Sequence, residues 1–199
     1  MSNIKGVQIA LAGEMRSGKD TVAEYLKKFN FKRYAFGDGI REVTKLLFPH
    51  EFDNGKPRKL LQDFGQEQVK RYKKVWIDYT FRKMLYDGID PNEDNVVITD
   101  LRQQHEYEAL VESGFMIVRV NAKPHVRKQR IIQAGEEFSE ETFNHSTEKF
   151  IRTFEVDYEL YNNEGEQELI DQINKMLSNI TGGGVKLWVM ETTTTLKQH

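Results

Sequence analysis

An apolar run ending at Ala12 leads directly into Gly13-Glu14-Met15-Arg16-Ser17-Gly18-Lys19, followed by Asp20-Thr21. The spacing is G-x-x-x-x-G-K between a candidate buried strand and a helix, the pattern of a phosphate-binding loop. It constrains the chain more than any other stretch, because such a loop needs a strand to deliver it to the start of a helix. Glycines let the backbone curl so that successive N–H groups face one anion, and the helix start adds the positive end of its dipole. Lys19 supplies a full charge for the outer phosphates. Gly13, Arg16, Ser17, Gly18, Lys19, Asp20 and Thr21 are therefore the candidate ATP contacts. One position is unusual. Asp20 stands where a magnesium-binding hydroxyl ordinarily follows the lysine, and Thr21 comes next. Arg16 lies inside the loop, an uncommon place for a large cation unless it faces phosphate.

The remaining constraints are mostly exclusions. The 199 residues suit one domain with a sizeable core. A net charge of -2 gives no global basic field to attract a nucleic-acid polymer. With no cysteine, disulfides and thiolate metal sites are excluded, and a cytoplasmic location is expected. No stretch approaches the roughly 18 apolar residues of a membrane span, and no signal peptide is expected at the amino terminus.

Along the chain, strand and helix patterns alternate. Apolar spacing predicts helices over residues 21–29, 40–47, 58–71, 76–86, 103–113 and 166–180, with another beginning at Pro124. Strands are expected over 31–36, 95–99, 115–120 and, more weakly, 158–161. Gly37-Asp38-Gly39 reads as a break between the strand at 31–36 and the following helix. Two strands are almost continuously apolar, which predicts a parallel sheet covered on both faces, an α/β fold. Residues 182–199 depart from this grammar. They follow a Gly182-Gly183-Gly184 hinge and read as an appendage, loose or paired as an extra strand over 185–190.

Ligands of open parallel sheets sit outside the carboxyl ends of the strands. The strand over 95–99 ends at Asp100, with Arg102 two residues on. An acid there can hold magnesium or its bound water, and an arginine can grip a phosphate with its planar fork. Asp100 could equally cap the following helix. Lys19, Arg16, Asp100 and Arg102 are the candidate catalytic residues, with Asp20 and Asp100 as candidate magnesium ligands. Arg41 sits where an acceptor-phosphate ligand is expected. Arg127 and Arg130, three apart, share a helix face and could close over ATP as a lid. His145 and Glu148 could form a dyad, but an anionic acceptor needs no general base, so His145 reads as structural or substrate-orienting.

Together these segments resemble the phage-type deoxynucleoside monophosphate kinases of the P-loop kinase superfamily. The resemblance rests on Arg16-Ser17-Gly18-Lys19-Asp20-Thr21, on Phe36-Gly37-Asp38-Gly39-Ile40-Arg41-Glu42, and on Arg58-Lys59-Leu60-Leu61-Gln62-Asp63-Phe64-Gly65 followed by Trp76. It extends through Thr99-Asp100-Leu101-Arg102-Gln103-Gln104-His105-Glu106 and His145-Ser146-Thr147-Glu148 to the stretch 157–163. In the second segment Gly39 replaces the family's proline and Arg41 its lysine. The resemblance implies a P-loop kinase fold with a five-stranded parallel sheet, and ATP- and magnesium-dependent phosphorylation of a nucleoside monophosphate. It implies one kinase domain over residues 1–181, with an acceptor-binding helical region at 38–90 and a lid at 123–150. It also implies that Arg41, Gln62, Arg71, Trp76 and Arg102 line the acceptor pocket, with Asp38 and Glu106 of the same segments as further contacts. The expected partner is a small-molecule nucleotide, and a homodimer is allowed for. Two other readings stay open: a kinase like the animal phosphomevalonate kinases, with a phosphorylated non-nucleotide acceptor, and a nucleotide-binding regulator without transferase activity.

Overall fold

The computed structural model describes residues 4–135, 143 and 150–182. Five parallel strands form one sheet: β1 (Gln8–Ala12), β2 (Phe31–Tyr34), β3 (Asn95–Leu101), β4 (Met116–Asn121) and β5 (Tyr158–Tyr161). Their spatial order is β2-β3-β1-β4-β5, which puts the two most apolar strands side by side at the centre. Ile9 of β1 stands opposite Val97 of β3 and Met116 of β4. Among the described residues the main helices are α1 (Lys19–Leu26), α2 (Phe36–Leu47), α3 (Arg58–Arg71), α4 (Val75–Tyr86), α5 (Gln104–Glu112), α6 (Pro124–Gln133) and α7 (Glu166–Ile180).

Strand side chains alternate between faces, and here the alternation divides the core in two. Ile9 and Leu11, with Val97 and Leu160, point to the face covered by α1 and α7. There they meet Val22, Leu26, Leu169, Ile173 and Leu177. Ala10 and Ala12, with Val96 and Ile98, point to the other face and meet Phe36, Trp76, Ile77, Met84 and Leu110 from α2, α4 and α5. Each large apolar side chain buried this way contributes roughly 1.5–3 kcal/mol. The apolar stripe of α7 is thereby accounted for as a sheet-packing face.

The sheet and most helices follow the sequence expectation, and the clearest departure is at Gly37-Asp38-Gly39. These residues do not break the chain. They form the first turn of α2, which begins at Phe36, so β2 ends earlier, at Tyr34. The helix start is held from outside: the Asp100 carboxylate accepts the N–H of Phe36 at 2.9 Å and that of Gly37 at 2.8 Å. Gly39 is required by packing. A Cβ there would lie 2.5 Å from Cδ1 of Tyr79, so α2 and α4 meet at its bare backbone. The helix expected over 21–29 is split into α1 and a 3₁₀ turn, Lys27–Phe29, closed by Asn30 in the left-handed region (φ 62°). The expected strand over 185–190 and the His145/Glu148 pair lie outside the described residues.

Candidate active site

A continuous cleft of about 1060 Å³ runs across the carboxyl ends of β1, β2 and β3. One end, where a phosphoryl donor is expected, is the phosphate loop. Arg16, Gly18, Lys19, Asp20 and Thr21 line it, together with Arg130 and Asn162. Lys19 is buried, and its ammonium donates to the carbonyls of Gly13 at 2.6 Å and Glu14 at 3.1 Å. It curls over the loop, where a phosphate oxygen can replace these carbonyls. The Ser17 hydroxyl is buried with no hydrogen-bond partner among the described residues.

The two arginines of α6 have different positions. Arg127 is only 2% exposed. Its guanidinium pairs with Glu14 at 3.2 Å, donates to the Met15 carbonyl at 3.3 Å and stacks on Phe143. It braces the loop from behind and does not reach the cleft lining. Arg130 does reach it, donating to the carbonyls of Arg16 at 3.2 Å and Ser17 at 3.4 Å and to the Asn162 side chain at 2.9 Å. Desolvation lowers its pKa from the ordinary guanidinium value. Glu14 also receives Arg152 at 2.7 Å.

The far end of the cleft, where an acceptor is expected, is walled by α2, α3 and the end of β3. Asp38, Arg41, Gln62, Asp100 and Arg102 line it, as do Arg33, Lys56 and Arg58. Asp38 pairs with Arg33, and with Arg41 at 3.3 Å. Burial lowers the pKa of Lys56, and the Arg41 and Arg58 charges lower it further, partly offset by Asp38. Burial raises the pKa of Asp100, against the pull of its bonds to Gly37 and Phe36.

Glu106 lies beneath this floor, 7% exposed. Its carboxylate accepts the N–H groups of Arg102 and Gln103, each at 2.9 Å. The second of these belongs to the capping box of α5. Burial, and then the neighbouring Asp100 charge, push its pKa up to about 7.

Three expected acceptor contacts are placed elsewhere. Arg71 is exposed at the end of α3 and pairs with Glu67 at 3.3 Å. Trp76 is 6% exposed and donates its indole N–H to the Gly65 carbonyl at 3.0 Å, with its ring against Phe64 and Tyr79. It is a core residue joining α3 to α4. Glu106 supports the backbone of Arg102 and does not line the cleft. Conversely, Arg33, Lys56 and Arg58 line it without having been singled out. Arg58 stood within a recognised segment, whereas Lys56 sits in a loop without a motif.

Among the described residues no three His, Asp or Glu side chains form a metal cage. Magnesium needs none, since it binds through one or two carboxylates, substrate phosphates and retained waters. Asp20 and Asp100 both line the cleft, so the donor set fits such an ion. Each Asp100 oxygen already accepts one backbone N–H, and a contact through a retained water suits it best.

The fold and the loop define a P-loop protein built on a five-stranded parallel sheet. A family described as "AAA domain" matches residues 9–150, and the chain belongs to it. A UPF0200 protein of Saccharolobus islandicus is 25% identical over 129 residues, covering 63% of this chain and 63% of that protein. Among solved structures, TT1252 from Thermus thermophilus superposes with a TM-score of 0.58 at 19% identity, over 87% of this chain and 97% of that one. Shikimate kinase from Acinetobacter baumannii, in complex with shikimate, superposes with a TM-score of 0.57 at 15% identity, over 90% and 96%. At these identities the likeness shows the fold. No helix among the described residues is long and apolar enough to cross a membrane.

Proposed function

We propose that this protein transfers the γ-phosphoryl group of ATP to a (deoxy)nucleoside monophosphate, giving the diphosphate and ADP. The observation that carries this reading is the continuity of one cleft from the phosphate loop to a second set of cations, Arg41 and Arg102 among them. A neutral acceptor needs no such second site. An anionic acceptor, here taken to be a phosphate, does.

In this reading the loop N–H groups, Arg16 and Lys19 hold the triphosphate, and Arg130 faces it from α6. Arg41 and Arg102 hold the acceptor phosphate in line, and Gln62 lies beside it. An acceptor oxygen attacks the γ-phosphorus, and the bond to the β–γ bridging oxygen breaks. The electron pair leaves with ADP. The acceptor is already anionic, so no base is required, and the rate comes from positioning and charge neutralisation. Asp20 and Asp100 would hold magnesium, which supplies charge neutralisation at the bridging phosphates. Residues 1–181 form the kinase domain in this reading, with 38–90 closing on the acceptor and 123–150 on ATP.

The test is purified protein with Mg-ATP against a panel of ribo- and deoxyribonucleoside monophosphates and phosphorylated non-nucleotide alcohols, with ADP release measured. Acceptor-stimulated release with nucleotides supports the proposal. Release only with a non-nucleotide phosphate, or ATP binding with no stimulated release, overturns it.

A further inference from the structure

The strongest observation outside the recognised motifs is at the carboxyl end of β5. Asn162 is 5% exposed. Its backbone N–H donates to the Asn121 carbonyl at 2.8 Å, continuing the pairing of β5 with β4. Its side chain is thereby delivered in a fixed direction, toward the phosphate loop. The amide nitrogen donates to the Ser17 carbonyl at 3.0 Å, and the amide oxygen accepts Arg130 at 2.9 Å. The fit leaves no space for a side chain at the next residue: a Cβ on Gly18 would lie 2.0 Å from the Asn162 amide nitrogen. Gly18 also has φ 108°, in the left-handed region.

The Ser17 carbonyl and the Gly18 N–H belong to one peptide unit. In a trans peptide these groups lie in a plane and point in opposite directions. Holding the carbonyl toward Asn162 therefore turns the Gly18 N–H away from it. The preceding donor is already used, since the Ser17 N–H is bonded to the Glu14 carbonyl at 3.1 Å. Gly18, which lines the cleft, is then the next loop donor whose direction matters to an anion.

We infer that Asn162 is a positioning residue of the phosphate site: by fixing the Ser17–Gly18 peptide, it aims the Gly18 N–H at the bound polyphosphate. Arg130 reinforces the same peptide from α6, so Asn162 joins the loop to that helix. The residue acts on the polyphosphate, not on the base. This rests on the reading that ATP occupies the loop.

The experiment measures binding of ATP and of inorganic tripolyphosphate by calorimetry, for the wild type, Asn162→Ala and Asn162→Asp, with steady-state KM values for ATP and acceptor alongside. Loss of one charge-assisted hydrogen bond predicts about tenfold weaker binding of both ligands to Asn162→Ala. Asn162→Asp is expected to bind more weakly still, because a carboxylate facing the Ser17 carbonyl repels it and turns the peptide. The acceptor KM stays within about twofold of wild type. Folded Asn162→Ala with wild-type affinity for both ligands overturns the inference. So does weakened ATP binding with unchanged tripolyphosphate binding, which would mark a contact to the nucleoside. If Asn162→Ala does not fold, Asn162→Ser takes its place, since its hydroxyl is too short to reach the Ser17 carbonyl. A wild type that binds neither ligand overturns the proposed function itself, whereas a wild type that binds ATP without transferring it leaves this test intact.

Discussion

The two ends of the cleft are braced by opposite chemistry. At the donor end the phosphate loop turns carbonyls outward, and donors hold them: Arg127 on Met15, Arg130 on Arg16 and Ser17, and Asn162 on Ser17. At the acceptor end the backbone presents N–H groups, and carboxylates hold them: Asp100 on Phe36 and Gly37, and Glu106 on Arg102 and Gln103. Both arrangements orient backbone, yet they differ in electrostatic cost. Amide and guanidinium donors add no negative charge near the phosphates. The two carboxylates do, and each has a raised pKa. The acceptor end is therefore expected to respond to pH, through its supporting groups as well as through its ligand.

The largest effect expected from breaking this comparison is at the donor end. Lys19→Ala should lower turnover by about 10³-fold, through loss of a preorganised charge at the transferring group. The melting temperature should move by only a few degrees, and coupled ADP release beside thermal unfolding checks both. At the acceptor end, Arg102→Ala should raise the acceptor KM about 10–100-fold and leave the ATP KM within twofold. Arg71→Ala should change neither, and if it raised the acceptor KM as much as Arg102→Ala, the assignment of that wall would fail. Trp76→Phe sharpens the same boundary. It should cost about 1–2 kcal/mol of stability in urea titration, from the lost bond to Gly65 and lost volume, with the acceptor KM unchanged.

The smallest effect concerns Glu106. Its carboxyl ordinarily titrates near 4.5 and does so near 7 in the folded protein. Between those values the folded state keeps a proton that the unfolded chain has lost, so this group makes stability fall as pH rises. Glu106→Gln removes the titration. Its melting temperature relative to wild type should therefore climb from pH 5 to pH 7 and level off above. A difference that stays constant with pH would show that burial and the Asp100 charge leave the Glu106 carboxyl unshifted.

The layout of the donor end was readable in the sequence because it is local: loop, lysine and flanking strand and helix are consecutive. The sheet was readable for a related reason, since runs such as Val96-Val97-Ile98 have few other uses. The acceptor end was less legible because its contacts are distant. The helix over 40–47 was legible, but nothing in Gly37-Asp38-Gly39 announces its first turn, since that start is held by Asp100 from β3. Trp76 carries the same residue-type signal whether it stacks on a base or joins two helices, and only packing separates the two. Lys56 reaches the cleft through loop geometry that no spacing encodes. Asn162 stood in a stretch read as a late landmark, but its reach to Ser17 depends on β4 and β5 being neighbours.

The Asp100 contact also bears on how the molecule assembles. The first turn of α2 depends on a carboxylate 64 residues further along the chain. Nucleation of a helix is unfavourable without such help, and the help arrives only when β3 has paired with β2. The wall carrying Arg41 is therefore expected to become ordered together with the sheet rather than ahead of it, because long sequence separation delays contacts. A nascent chain ending before β3 would carry the complete phosphate loop but only a frayed α2, so the ability to hold an acceptor would emerge during synthesis later than the first strand, loop and helix.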